Sequence, residues 1–143
     1  MTTVRRSVLV DRSAEQMFAL VDAVEDYPQF LPWCGGAEVL ERTPERTHAR
    51  ITVAYRGLST RFSTMNRKEA PEWMHLDLED GPFEKLQGHW RFVALGEGCR
   101  IEFALDYGFN SPALEKLLGS VFGHIADTMV DRFVERAESV PRR

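Results

Sequence analysis

Cysteine is scarce in this chain: Cys34 and Cys99 are the two thiols in 143 residues. That is too few for a disulfide framework, and each lies in a different kind of segment. Both are therefore expected to be buried free thiols in a reducing compartment. Lysine is scarce too. Of 18 basic residues only Lys68, Lys85 and Lys116 are lysine, which leaves 15 arginines. Set against 22 acidic residues, they give a formal charge of -4. Such a balance argues against non-specific nucleic-acid binding and a DNA partner, while permitting a local basic patch. No apolar run approaches the roughly 18 residues of a membrane span. The opening MTTVRRSVLV has no long apolar stretch and no small-residue cleavage site, so it reads as a first strand rather than a signal peptide. Cytoplasmic residence is the expectation. Metal-binding and nucleotide-binding spacings are also missing: there is no HExxH, no CxxC, no GxGxxG and no Walker A run.

What is present is an ordinary globular composition, with 43% hydrophobic residues. The length suits a single domain over residues 1–143 with a core that needs no metal or disulfide. Residues 2–11 alternate, with Val4, Arg6, Val8 and Val10 on one face and Arg5, Ser7 and Leu9 on the other. Arg5 and Arg6 thus cannot join one patch. Ser13 and Gln16 have capping-box spacing, so a helix follows with Ala14, Met17, Phe18, Val21 and Val24 on its inner face. From Asp26 to Gly36, Pro28 and Pro32 interrupt a short irregular stretch that carries Tyr27, Phe30, Leu31 and Trp33. That much apolar surface packs on the fold, surrounds a ligand or meets a partner.

Six strands are expected after it, over residues 37–43, 47–55, 58–66, 73–79, 84–94 and 99–109. Their alternation contrasts an apolar row such as Leu86, Gly88, Trp90 and Phe92 with a polar row such as Lys85, Gln87, His89 and Arg91. One buried and one solvated face is the signature of an antiparallel sheet. Arg56–Gly57 is short enough for a tight hairpin, and Asp80-Gly81-Pro82 marks a turn. Ser111 and Pro112 start a helix that runs to about residue 138. Its apolar stripe is Leu114, Leu117, Leu118, Val121, Phe122, Ile125, Met129 and Phe133. Gly119 and Gly123 on it either allow close helix–sheet approach or leave room beside the helix. Arg142 and Arg143 are expected to fray. The fold class is α+β, a curved antiparallel sheet wrapped around a long C-terminal helix. Whether the space between them is filled or hollow is left open by the pattern.

Four stretches then carry a resemblance. They are the opening strand with Arg5 and Arg6, the run Tyr27-Pro28-Gln29-Phe30-Leu31-Pro32-Trp33-Cys34, the strand Gly88-His89-Trp90-Arg91-Phe92, and the tail around Phe109-Asn110-Ser111-Pro112 and Val121-Phe122. Together they resemble the START-like superfamily of helix-grip domains, also called polyketide cyclase/dehydrase. More narrowly, the chain resembles its coenzyme-Q-binding family, which includes bacterial ribosome association toxins. The resemblance implies two non-enzymatic roles. One is an apolar cavity holding ubiquinone or another isoprenoid lipid in support of respiration, with transient membrane contact. The other is binding to the large ribosomal subunit to block subunit association, as in a toxin–antitoxin pair.

Candidate residues follow for each role. An apolar, sparsely polar pocket would be lined by Pro32, Trp33, Leu58, Phe62, Trp90, Phe92, Phe103, Tyr107 and Phe122, residues that would equally make a solid core. Ribosomal RNA would be met by cations on the outer sheet face, Arg50, Arg61 and Arg91, drawn from a set that also holds Arg5, Arg6, Arg67 and Lys68. No catalytic or metal residue is expected. His48, His75 and His89 fall on polar faces, Cys34 is read as a structural or pocket-lining thiol, and the His124–Asp127 pair is too little for an acid–base system.

Overall fold

The computed structural model describes residues 1–141; Arg142 and Arg143 lie outside the described residues. The chain runs β1 (Thr2–Val10), α1 (Ala14–Asp22), a 3₁₀ helix (Val24–Gln29), β2 (Cys34–Arg42), β3 (Arg46–Tyr55), β4 (Leu58–Glu69), β5 (Trp73–Asp80), β6 (Phe83–Leu95), β7 (Gly98–Phe109) and α2 (Pro112–Glu138). The seven strands form one antiparallel sheet in the order β1-β7-β6-β5-β4-β3-β2. This is the helix-grip arrangement expected from the alternation, because one apolar sheet face and one helical stripe can bury each other.

Local chemistry explains the joints. Ser13 and Ser111 cap α1 and α2 by accepting from the amides of Gln16 and Leu114 at 3.0 and 3.2 Å. Arg56 and Gly57 both have positive φ, 52° and 83°, which gives the β3–β4 hairpin a turn of matching twist. At Gly81 a side chain is excluded, since a Cβ would meet Phe62 Cβ at 2.6 Å.

Two strands outrun their expected limits. β2 begins at Cys34, because Gly35 and Gly36 already lie in the strand, and β4 continues to Glu69. The 26–36 stretch is not wholly irregular: residues 24–29 form a 3₁₀ helix that Val24 opens. Its aromatic surface turns inward. Tyr27 and Phe30 meet Phe133 edge-on with centroids 5.4 and 5.2 Å apart. Arg136 lies over Phe30 at 5.0 Å and donates to Gln29 at 2.8 Å, tying this stretch to the end of α2.

The core has two halves along α2. The C-terminal half packs Val130, Phe133 and Ala137 against α1 and against Trp90, Phe92, Ile101 and Phe103. The N-terminal half packs Leu118, Val121, Phe122 and Ile125 against Trp33, Ile51, Phe83 and Tyr107. Leu117 departs from the expected stripe; it is 55% exposed, one position off the face that α2 buries. Lys68 departs more sharply. Its charge suggests a surface cation, yet its side chain is 4% exposed and paired with Asp22 at the end of α1. The reason is parity: Lys68 continues the inward row of Phe62, Thr64 and Asn66 on β4.

Candidate functional site

Between α2 and the sheet lies an apolar cavity. Sheet residues form its floor, among them Ile51, Phe62, Leu76, Leu86, Trp90 and Phe103. Phe122, Ile125 and Met129 of α2 form the roof. Val24, Tyr27 and Trp33 close one side. The centre of a water-sized sphere can move through about 80 Å³ of it. That is well below the roughly 300–1,000 Å³ of typical small-molecule sites. The interior is therefore mostly filled, with a residual hollow near the middle of the helix.

Of the nine residues proposed from sequence, Trp33, Phe62, Trp90, Phe103 and Phe122 line this cavity. Pro32 does not, and it is exposed. Leu31 and Trp33 on either side turn into the core at 1% and 4% exposure, which points Pro32 outward. Leu58 is half-buried at the edge of the N-terminal core half. Phe92 lies in the solid half, parallel to Trp90 at 6.0 Å and edge-on to Phe18 at 5.7 Å. Tyr107 packs with Phe83 and Phe122, away from the hollow.

Sequence reasoning missed the polar part of the wall. Thr64 and Asn66 are each 3% exposed, and Thr64 Oγ1 donates to Asn66 Oδ1 at 2.8 Å. The signal was an amide two and four residues beyond Thr64 and Phe62 on an inward row. The Tyr27 hydroxyl donates to the Val21 carbonyl, and desolvation pushes its phenol far above the ordinary value. The Trp33 indole N–H is buried and, among the described residues, has no acceptor. Leaving such a donor unpaired costs about 1–3 kcal/mol.

The remaining candidate groups resolve as follows. Cys34 is buried outside the cavity wall; its Sγ donates to the Gly36 carbonyl at 3.3 Å, and burial pushes its thiol up. His124 stacks on Tyr55 at 5.6 Å, while Asp127 pairs with Arg6 at 3.3 Å, so the two do not act together. Gly119 and Gly123 leave room beside the helix: a Cβ on Gly123 would meet nothing within 4 Å, and one on Gly119 only Glu115 Cγ at 3.9 Å.

The outer sheet face carries Arg50, Arg61 and Arg91 as expected, and register sets how they are spread. Arg50 and Arg61 flank one shallow polar groove with Glu79 and Asp80. Arg91 is not with them. Arg50 opposes Ser63 on β4, whereas Arg91 opposes Trp73, which opposes Glu69. Six residues along a strand is roughly 20 Å. The register instead aligns Arg46, Arg67, His75 and His89 directly across β3 to β6, and Ala104 then leads to Arg5 on β1. His75 and His89 rings are 5.7 Å apart, and desolvation, followed by His75 and Arg91, holds His89 below its usual range. Acidic neighbours temper the row, as Arg67 pairs with Asp77 at 3.2 Å and Arg46 with Glu41 at 3.8 Å.

A curved sheet gripping one long helix over an apolar hollow defines a helix-grip domain of the START-like class. The family model described as polyketide cyclase/dehydrase and lipid transport matches residues 10–134, and the chain belongs to that family. It is 44% identical over 141 residues to the ribosome association toxin RatA of Escherichia coli K12, covering 98% of this chain and 89% of that one. It is 27% identical over 143 residues to the mitochondrial coenzyme Q-binding protein coq10 of Schizosaccharomyces pombe, covering 94% and 85%. A START superfamily protein from Mycobacterium smegmatis superposes with a TM-score of 0.81 at 25% identity, covering 97% and 99%. Among the described residues, no helix is long and apolar enough to cross a membrane.

Proposed function

We propose that this protein is a non-enzymatic, cytoplasmic lipid carrier that holds an isoprenoid quinone or similar lipid between α2 and the sheet, in support of respiration. The observation that carries the reading is the cavity: a buried, uncharged hollow whose wall is apolar apart from Tyr27, Trp33, Thr64, Asn66 and Trp90. Each methylene taken from water into such a wall contributes about 0.8 kcal/mol. The present volume corresponds to a closed state. A prenyl chain enters as α2 lifts from the sheet, with the open space beside Gly119 and Gly123 giving the helix freedom to shift. The wall offers a phenol that desolvation keeps protonated and no carboxylate, imidazole or thiol, which supports carriage rather than acid–base chemistry. The test is native mass spectrometry of gently purified protein, followed by solvent extraction. A stoichiometric prenylated lipid is expected. A protein that stays empty and fails to take up added quinone would end this reading.

A second reading, binding to the large ribosomal subunit, is favoured by one observation. Arg46 and Arg67 stand directly opposite each other, with His75 and His89 continuing the row across the sheet, and like charges placed as the two arginines are destabilise a sheet. A polyanion such as ribosomal RNA would relieve that repulsion. Arg67→Glu with His89→Glu should then abolish co-sedimentation with large subunits, while Arg50→Glu with Arg61→Glu should weaken it little. The reverse ranking would remove the row from consideration.

A further inference from the structure

Antiparallel pairing gathers the start of β1, the β3–β4 hairpin tip, the β5–β6 turn and the end of β7 at one end of the sheet, and α2 begins there. That end exposes apolar side chains the core does not use. Leu117, on the second turn of α2, is 55% exposed. Met1 is 74% exposed, with its Sδ against Gly108. Behind them Leu58, Phe109 and Leu114 are half-buried and pack on the core half that holds Phe122. Phe122 in turn forms part of the cavity roof. Apolar side chains thus lead from the surface of this end to the hollow.

The same end carries cations without a carboxylate. Among the described residues, none of Arg56, Arg61, Lys85 and Lys116 is ion-paired. Arg56 lies over the Tyr55 ring at 5.2 Å at the hairpin tip. Lys85 opposes Gly108, next to Met1, and Lys116 precedes Leu117. Carboxylates share this end, Asp80, Glu84 and Glu115 among them, yet none is drawn onto these four cations. The opposite end differs. It exposes leucines too, Leu9 at 70% and Leu95 at 46%, but there Arg42 pairs with Glu25, Arg46 with Glu41 and Arg100 with Glu102.

We infer that the end where α2 begins docks on the surface of an anionic phospholipid bilayer. Leu117 and Met1 enter the boundary between headgroups and acyl chains, while Arg56, Lys85 and Lys116 meet lipid phosphates. Long basic side chains suit that position, because their stems lie along apolar surface while the charge stays among the headgroups. The inference builds on the lipid-carrier reading and adds to it a membrane partner and the face that meets it. A soluble polyanion would use the cations but not the exposed leucine.

The test is flotation of the full chain with vesicles of equal parts phosphatidylcholine and phosphatidylglycerol, and with vesicles of phosphatidylcholine alone. Saturable binding is expected on the anionic vesicles, about tenfold weaker on the neutral ones. It should decline as salt shortens the reach of charge. A cation near an anionic surface is worth about fivefold in affinity, so Arg56→Glu with Lys116→Glu should lose at least about twentyfold. Leu117→Ser should lose about fivefold. Leu9→Ser, at the other end, should leave binding unchanged. Absence of binding to the anionic vesicles, equal binding to both compositions, or a loss as large for Leu9→Ser as for Leu117→Ser would overturn the inference. So would a loss on charge reversal with none for Leu117→Ser, the pattern of a site for soluble polyanions such as RNA. The wild-type comparison of the two vesicles needs no variant, so it decides even where a variant folds poorly. Uptake of a dispersed decyl-tailed quinone by the same protein without vesicles keeps the two readings apart. Uptake without vesicle binding overturns the docking face alone, and vesicle binding without uptake overturns the carrier reading alone.

Discussion

Removing either member of the Lys68–Asp22 pair should destabilise the protein by clearly different amounts. Lys68 Nζ donates to both Asp22 carboxylate oxygens at 2.9 Å, and Thr47 Oγ1 donates to one of them at 3.2 Å. The lysine side chain is 4% exposed and the aspartate 21%. Asp22→Ala strands an ammonium almost without water, and breaking a buried pair in this way costs about 3–5 kcal/mol. Lys68→Met keeps most of the stem's volume. It leaves a carboxylate that still reaches solvent and Thr47, so about 1–2 kcal/mol is expected. For a chain of this size each kcal/mol moves Tm by about 3–4 °C. The first variant should therefore fall by about 9–20 °C and the second by about 3–8 °C. Lys68→Met combined with Asp22→Ala removes both charges and should recover much of what Asp22→Ala alone loses. Urea unfolding with linear extrapolation measures all three. Equal losses in the single variants, or a double variant less stable than Asp22→Ala, would refute the reasoning that an unpaired ammonium dominates.

Three further outcomes are expected. Arg42 contacts both Glu25 oxygens at 2.8 Å and, through that hydrogen bond, holds the carboxyl at about 2 against an ordinary 4.5. A depressed folded value adds stability above about pH 4.5 that is lost as pH falls toward 2. Glu25 is 48% exposed, so screening reduces this to about 1 kcal/mol; Arg42→Met should show that loss near pH 6 and clearly less near pH 2, where the bond to the Asp22 carbonyl is what remains to be lost, in urea titrations. Gly88→Ala places a methyl 3.4 Å from Leu105 Cδ1 and 3.5 Å from Leu76 Cδ1 in the cavity floor, ordinary contacts that need no shift. It should raise stability by about 0.5–1 kcal/mol while weakening quinone binding severalfold, read by calorimetry. Tyr27→Phe leaves the Val21 carbonyl without its donor, and should cost about 1–2 kcal/mol in thermal unfolding.

Much of this architecture was legible in the chain. Alternation in β3, β6 and β7 announced both faces of the sheet, and Ser111-Pro112 announced α2. The misplacements have physical reasons. Lys68 was assigned by its charge, although its parity with Phe62 and Asn66 put it inside; burial became tolerable because Asp22 lies at the end of a helix distant in sequence. The aromatic neighbours of Pro32 suggest a lining residue, but a tight turn closed by the Cys34 N–H on the Leu31 carbonyl at 2.9 Å sets it outward. Arg50, Arg61 and Arg91 all share the outer face that alternation indicates, but the distance between them is set by register between strands, a pairing property that no single strand displays. The volume of the hollow depends on side-chain fit at the scale of tenths of an ångström. The unpaired Trp33 donor likewise exists only once its surroundings are assembled.

The position of β1 bears on how the molecule comes together. β2 through β7 form a meander in which each strand pairs with the next to arrive, so those contacts are short in sequence. β1 instead pairs with β7, with Thr2 opposite Tyr107. During synthesis the first strand must wait, its apolar Val4, Val8 and Val10 uncovered, until the last strand emerges, and both core halves wait longer for α2. Among the strand pairings this one joins the residues farthest apart in sequence, and such non-local pairing slows folding. A nascent chain stopped before β7 presents unsatisfied apolar surface, the condition under which chaperone capture or aggregation competes with folding.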